Sequence, residues 1–317
     1  MDSSTKRNRG AALVMTLLII AALAGLAVGF SDESGIELEL SGYAGHGNRA
    51  RQIALSGCEL ALALLDQDEN LDMDSLREEW GRFGPESFPE PLPETVLFSG
   101  RIRDESGKIN INSLLNELGR IDPRRERQVV RLFAALGLEE NFVDPVLDWL
   151  DADDIERMEG AENYYYRSLK APYDCFNGPF MTTPQVFLVR NMSAAHHILE
   201  KNGKSLLDFV TVHSEGKVNI NTASSEVLQS LDGEMDASLA ASIIDYRAEE
   251  DFLSTRDLSK VPGIGADMSN RISEWITVKS SAFRVEVEVA YQEAIARINA
   301  VAVRKEGKSK LVCCRVM

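Results

Sequence analysis

The sequence predicts an α+β protein: a long N-terminal helix that starts in a membrane, a small antiparallel sheet, and between them a large, mostly helical domain. Three observations carry that expectation. Residues 11–30 hold no charge and follow a cluster of cations. A six-residue motif recurs 109 positions apart within a stretch of helical periodicity. Beyond Ser280 the pattern changes to alternating apolar and charged side chains.

The first element follows Lys6, Arg7 and Arg9 and is uncharged from Ala11 to Phe30. A bilayer core takes roughly 20 apolar residues as helix, so the segment is just long enough to span it. With cations before it and Asp32, Glu33, Glu37 and Glu39 after it, positive-inside asymmetry puts the short N-terminus in the cytoplasm and the rest of the chain outside. Three readings stay open. One is a secretory signal cut near Ala22-Leu23-Ala24, and another is an uncleaved signal anchor. In the third, a protease at the cytoplasmic face cuts between Gly10 and Ala11, removing a basic leader and leaving the apolar helix whole. The direct junction of Arg9-Gly10 with Ala11 resembles the prepilin leaders of type IV pilins and type II secretion pseudopilins. In those families scission follows the glycine and the new N-terminus is methylated. They usually carry a glutamate at the fifth residue after the cut, where this chain has Met15.

The chain of 317 residues has a formal net charge of −16, and loss of residues 1–10 would remove three cations but only one acid, Asp2. Such a surface repels phosphate backbones and anionic lipid, which makes nucleic acid a poor default partner and divalent cations a plausible one. The four cysteines, Cys58, Cys175, Cys313 and Cys314, are too few for a disulfide scaffold and lack zinc-site spacing. An oxidising compartment would permit one bridge, and in a strand Cys313 and Cys314 would point to opposite faces.

From Ser31 to about Asp66, apolar residues at spacings of three and four, among them Ile36, Leu40, Tyr43, Ile53, Leu60 and Leu64, predict that the helix continues. Gly42, Gly45 and Gly47 predict a break or kink in it. The proline-rich stretch Gly84 to Pro93 predicts a loop. Val96–Asp104 and Lys108–Ile111 predict a hairpin turning at Glu105-Ser106-Gly107.

Gly107-Lys108-Ile109-Asn110-Ile111-Asn112 returns as Gly216-Lys217-Val218-Asn219-Ile220-Asn221. Later blocks match in the same order: 142–154 over 239–251, and Phe180 to Thr183 over Phe252 to Thr255, with residues 155–179 as an insertion in the first copy. Ordered matches in three blocks argue for duplication of a strand-then-helices unit. The second unit contains Val261-Pro262-Gly263-Ile264-Gly265 before a helical 266–278, which reads as a helix-hairpin-helix. Such a turn can offer backbone N–H groups to a phosphate. Acids outnumber cations between Asp245 and Trp275, which opposes counterion release and favours a packing role for the turn. After Ser280 the alternation of Val285, Val287 and Val289 with charged neighbours, then 293–304 and 311–317, predicts an antiparallel meander.

No metal-binding His-Glu motif, Gly-x-Ser-x-Gly elbow or phosphate loop occurs, so the sequence gives no support to an enzyme. The acidic loop is the candidate site. Asp148, Asp151, Asp153, Asp154, Glu156, Glu159 and Glu162 fall close together, with Gly160 available for a sharp turn. Oxygen ligands in this number suit calcium, at the weak affinity extracytoplasmic sites need, although the spacing is not that of an EF-hand. The competing reading is a solvated acidic loop. The candidate ligands are Asp148, Asp151, Asp153, Asp154, Glu159 and Glu162.

Taken together, several features resemble the K-type minor pseudopilins of type II secretion systems: the leader without its glutamate, Gly107 to Asn112, Asp148 to Asp153 followed by Gly160-Ala161-Glu162, Asn219 to Ala223, and the terminal strands. The resemblance implies a pseudopilin fold whose sheet carries a large inserted helical domain with a helix-hairpin-helix (SAM-like) unit and structural calcium. It implies a single-pass inner-membrane protein, processed by prepilin peptidase, with its bulk in the periplasm. Its implied place is the pseudopilus tip, beside I-type and J-type minor pseudopilins, in export of folded proteins across the outer membrane, with secreted proteins as possible partners. The missing glutamate fits a subunit with nothing above it. The expected layout is leader 1–10, transmembrane segment 11–30, helix continuation and first hairpin 31–111, inserted helical domain 112–215, second helical repeat 216–280 and terminal strands 281–317. The rival class is a membrane-anchored, extracytoplasmic DNA-binding protein of the competence type, resting on Val261 to Gly265.

Overall fold

A computed structural model describes residues 4–68 and 70–317, with side chains from Ala12 onward. The first helix, α1 (Ser4–Asp66), runs without interruption. The expected break at Gly42, Gly45 and Gly47 does not occur. Each glycine costs at most about 1 kcal/mol relative to alanine, and helix already formed on both sides propagates across them. By length and composition the apolar part of α1 can cross a membrane.

From Ala50 onward α1 lies on a four-stranded antiparallel sheet in the order β1 (Val96–Asp104), β6 (Ala282–Tyr291), β7 (Ala294–Lys305), β8 (Lys308–Val316). Ala50, Ala54, Cys58, Ala61 and Leu65 of the helix pack against Phe98, Ile102, Val285, Val287, Val289, Ile298 and Ala300. The alternation that predicted the last three strands is the alternation between this core and the outer face.

Because β1 pairs directly with β6, everything between them is inserted between two neighbouring strands. The expected hairpin at Glu105-Ser106-Gly107 is therefore replaced by an exit from the sheet. The Glu105 N–H still extends the ladder to the Ala282 carbonyl at 2.9 Å, after which the chain leaves. β2 (Ile109–Asn110) pairs in parallel with β3 (Val210–Thr211), 101 residues on. A Cβ on Gly107 would come within 2.6 Å of Thr222 Oγ1, so the exit also needs glycine for close packing.

The inserted domain has its own core and two related halves. In the first, β2 and β3 bracket α2 (Pro123–Ala135), α3 (Asp144–Leu150), α4 (Asn163–Arg167) and α5 (Met192–Glu200). In the second, β4 (Val218–Asn219) and β5 (Ile276–Thr277), again parallel, bracket α6 (Ser225–Gln229), α7 (Ala237–Glu249) and α8 (Ala266–Ile272). The expected helix 266–278 thus ends at Ile272 and gives way to β5.

The repeated Asn-x-Asn has one role in both halves. Asn110 and Asn219 each accept the N–H of the residue two positions on. Asn112 exchanges two hydrogen bonds with the backbone of Phe180, at 2.8 and 2.9 Å. Asn221 does the same with Phe252, at 2.9 and 3.0 Å.

A buried polar hub joins the domain to the sheet. Asp104, the last residue of β1, accepts from Thr222 at 2.6 Å, Ser280 at 2.5 Å and Asn219 at 3.1 Å. Next to it Glu105 is fully buried and receives Lys108, Arg284 and Thr211.

Candidate metal centre

The acidic loop begins where α3 stops. Asp151, its C-cap, turns extended, and the next eleven residues hold no regular structure until α4 starts after Glu162. Aromatic packing fixes the base of this loop. Trp149 is buried against Tyr166 and Tyr173 edge-on and stacks on Phe176 and Phe180. Asp148, on the same helix, accepts the backbone N–H groups of Arg157 and Ala161 through one oxygen, at 3.2 and 2.9 Å. A Cβ on Gly160 would fall 1.8 Å from that oxygen. Glycine is needed here for close approach and not for a left-handed turn.

This folding brings together one carboxylate oxygen each from Asp151, Asp153 and Glu162, all within 4.8 Å of one another. Their polar atoms lack protein partners to an unusual degree. Asp151 Oδ1, both Glu162 oxygens, Asp148 Oδ1 and Asn177 Oδ1 are buried without a hydrogen bond. A buried acceptor without a donor costs about 1–3 kcal/mol, and more if charged. The cation beside the group is Arg157, 3.3 Å from Asp148 and 3.8 Å from Asp151.

The electrostatics agree. Burial, then the charges of Asp148, Asp151 and Asp154, pushes Glu162 up to about 7. Burial also raises Asp148 to about 6, and burial followed by the Asp153 charge raises Asp151. Without a further cation these carboxyls ionise less readily than ordinary ones, Glu162 most of all. A hard divalent cation with oxygen ligands would relieve both the repulsion and the missing partners.

Of the candidate ligands, Asp151, Asp153 and Glu162 converge, and Asp148 stands beside them with one oxygen committed to the loop backbone. Asp154 receives Asn163 and Asn177 at 2.7 and 3.3 Å and so holds the loop together. Glu159 is exposed, and its N–H donates to Asp144. The residue the sequence reading missed is Asn177, at the far end of the insertion. Its amide nitrogen donates to the Asp153 carbonyl at 2.9 Å while its oxygen is left over. Its signal was an Asn-Gly pair closing the insertion.

A second acidic group, Asp68, Asp74 and Glu78, differs in kind. Arg304 donates to both aspartates, and Glu78 receives Trp80 and the Ser75 N–H. A guanidinium already stands where a metal would. At the helix-hairpin-helix turn Gly263 is left-handed (φ 88°) and Val261 and Ile264 are buried. Lys260 pairs with Asp257, and Arg271 with Asp232 and Glu234. The expected cleavage site Gly10–Ala11 lies in α1 by backbone; its side chains, and residues 1–3 of the leader, are outside the described residues.

Comparison with known proteins bears on the whole chain. Residues 107–201 match the family model described as type II secretion system (T2SS), protein K, and residues 213–277 match a helix-hairpin-helix motif model. The type II secretion system protein K of Pseudomonas aeruginosa is 32% identical over 265 residues, covering 80% of this chain and 76% of that one. Its namesake from Aeromonas hydrophila is 28% identical over 341 residues, covering 98% and 97%. Among solved structures, a chain in the crystal structure of the GspK-GspI-GspJ complex of the enterotoxigenic Escherichia coli type 2 secretion system matches with a TM-score of 0.65. That match, at 18% identity, covers 90% of this chain and 99% of the other, and it shows a shared fold.

Proposed function

This chain belongs to the type II secretion system protein K family, and we propose that it acts as the minor pseudopilin at the tip of the periplasmic pseudopilus, supporting export of folded proteins across the outer membrane. One observation carries the reading. A membrane-length apolar helix continues without a break into the helix packed under the sheet, and the sheet carries a large domain inserted between β1 and β6. The helix suits a bundle of like helices, and the bulk at its far end would obstruct a subunit added above.

On this reading α1 anchors the chain once in the inner membrane, N-terminus in the cytoplasm, and prepilin peptidase cuts after Gly10. Met15 stands where other subunits carry a glutamate, as suits a subunit with no neighbour above. The partners are the I-type and J-type minor pseudopilins, since the similar GspK chain was solved in complex with GspI and GspJ. The role is assembly, with no reaction catalysed. Calcium is held by Asp151, Asp153 and Glu162, with Asp148 and Asn177 beside them. Bound there, it supplies the positive charge that lets the loop close on α3, and the buried oxygens without partners support it.

Deletion of the gene, with return of the parent or of a Gly10→Val variant, tests the function. Secreted proteins should accumulate in the periplasm in the deletion strain, be released again with the parent, and stay trapped with the uncleavable variant. Unchanged export in the deletion strain would exclude the role. The helix-hairpin-helix match favours one rival, DNA binding. Retention of duplex DNA by the purified protein on filters at low salt would support it.

A further inference from the structure

Two anchors set how α1 lies across the sheet. At one end His46 meets Glu293, in the β6–β7 turn, at 3.2 Å. At the other the Ser309 N–H donates to Asp66 Oδ1 at 2.6 Å, so β8 begins where α1 ends and runs back along it. Going back from Asp66 to Cys58 covers ~12 Å of helix. Going from Ser309 to Cys314 covers ~13–16 Å of strand, the lower figure allowing for one bulged residue. The two cysteines therefore reach the same level.

They also face each other. The register shift opposite Val301 and Ala302 leaves Cys314 paired with Ala300 and Cys313 with Val301. Ala300 is 1% exposed in the core under α1, and Val316, two residues beyond Cys314, packs on that core. Cys313 thus belongs to the outer face. Cys58 is 3% exposed on the α1 stripe of Ala54 and Ala61, where small side chains let the helix come close, and α1 and β8 have Cα atoms within 8 Å. Burial pushes the Cys58 thiol up to about 11, and the sulfur of Cys314 adds to the rise, as expected of two neighbouring sulfurs.

We propose that Cys58 and Cys314 are a disulfide pair that staples the edge strand β8 to the anchoring helix, formed by reaction with the disulfide of an extracytoplasmic thiol oxidoreductase. The exposed Cys314, as thiolate, attacks the oxidant's disulfide and expels one thiolate. Cys58 then gives up its proton and attacks Cys314 Sγ, and the second thiolate leaves. Two thiols of this chain are oxidised and one disulfide is reduced to two thiols. The staple links the last strand covalently to the helix that would be pulled when the subunit leaves the membrane. Its formation in the cell rests on the periplasmic topology proposed above; its geometry does not.

The test uses the full-length protein in detergent, oxidised with glutathione disulfide, alkylated and digested with trypsin without reduction. Peptide 52–77 should be found linked to peptide 311–315. Cys313→Ser should keep the link and Cys314→Ser should lose it, and both positions are exposed enough to spare folding. Because the closed loop is long, oxidation should raise Tm by roughly 5–10 °C in the parent and in Cys313→Ser but not in Cys314→Ser. Free Cys58 and Cys314 after oxidation, or a link through Cys313, would overturn the pairing. The same digest from acid-quenched cells should show the link. Its absence there, with the link forming in detergent, would overturn oxidation in the cell and count against the topology while leaving the geometry intact.

Discussion

Asp151 and Glu162 lie within 4.8 Å of one another through carboxylate oxygens, although α3 ends at one and α4 begins at the other. Both carry buried oxygens without a hydrogen-bond partner among the described residues. A divalent cation bound there, as proposed above, would supply the missing partner.

Calcium should therefore raise the melting temperature of the protein, and chelator should lower it. A ligand bound to the folded state alone adds about 2.7 kcal/mol at a hundredfold excess over Kd. Asp151→Asn with Glu162→Gln should abolish the shift, while Glu159→Gln, outside the cluster, should retain it. Differential scanning calorimetry of the three proteins with calcium and with chelator decides this; equal midpoints in the parent would return the loop to a solvated acidic segment.

The asparagine clamps should differ in strength with burial. Asn221 is 2% exposed and its partner Phe252 is fully buried, whereas Asn112 is half-buried. Asn221→Ala leaves a buried N–H and carbonyl unpaired and should cost roughly 2–4 kcal/mol, against about 1–2 kcal/mol for Asn112→Ala. Urea unfolding of both variants measures the difference, and equal costs would deny that the two clamps are graded by burial.

Glu105 makes acid stability predictable. Burial alone would raise its carboxyl, but the Lys108 ammonium and the Arg284 guanidinium overcome this and hold it at about 2. Its folded value is thus depressed below the ordinary carboxylate range, so its contribution is complete above the unfolded value near 4.5 and is lost as pH falls toward 2. Glu105→Gln should be destabilised most above pH 5, with the gap to the parent narrowing toward pH 3. Chemical unfolding across that range checks the sign; a gap that widens on acidification would contradict it.

Much of this was legible in the sequence, for reasons that also explain the rest. The anchor, the duplication and the terminal strands are written as long periodicities, which survive whatever the tertiary structure does. β2 has two residues and no period. Its partners Val210 and Thr211 lie about a hundred positions away, and Thr211 also donates to the buried Glu105. Asn177 escaped because it is neutral and reaches the acidic loop only once the insertion has folded back on α3. Conversely Glu159, acidic and in sequence range, faces solvent. Charge marked the neighbourhood of the site, and backbone geometry chose its members.

The membrane helix yields a further expectation. Met15→Glu changes the apolar segment and leaves the head intact, so the head should fold as before. An unpaired carboxylate within a helix bundle costs at least about 2 kcal/mol, so export should weaken in cells that carry this variant in place of the parent. Export above the parental level would contradict a tip position.

A tip subunit of this kind must form a complex with its neighbours. The periplasmic part, from residue 31 on, mixed in equal amounts with the periplasmic parts of the I-type and J-type subunits of its own system, should elute on size exclusion with light scattering as one species. The mass should be that of one copy of each subunit. Elution of this chain alone at its monomer mass, while the other two associate or not, would contradict the account.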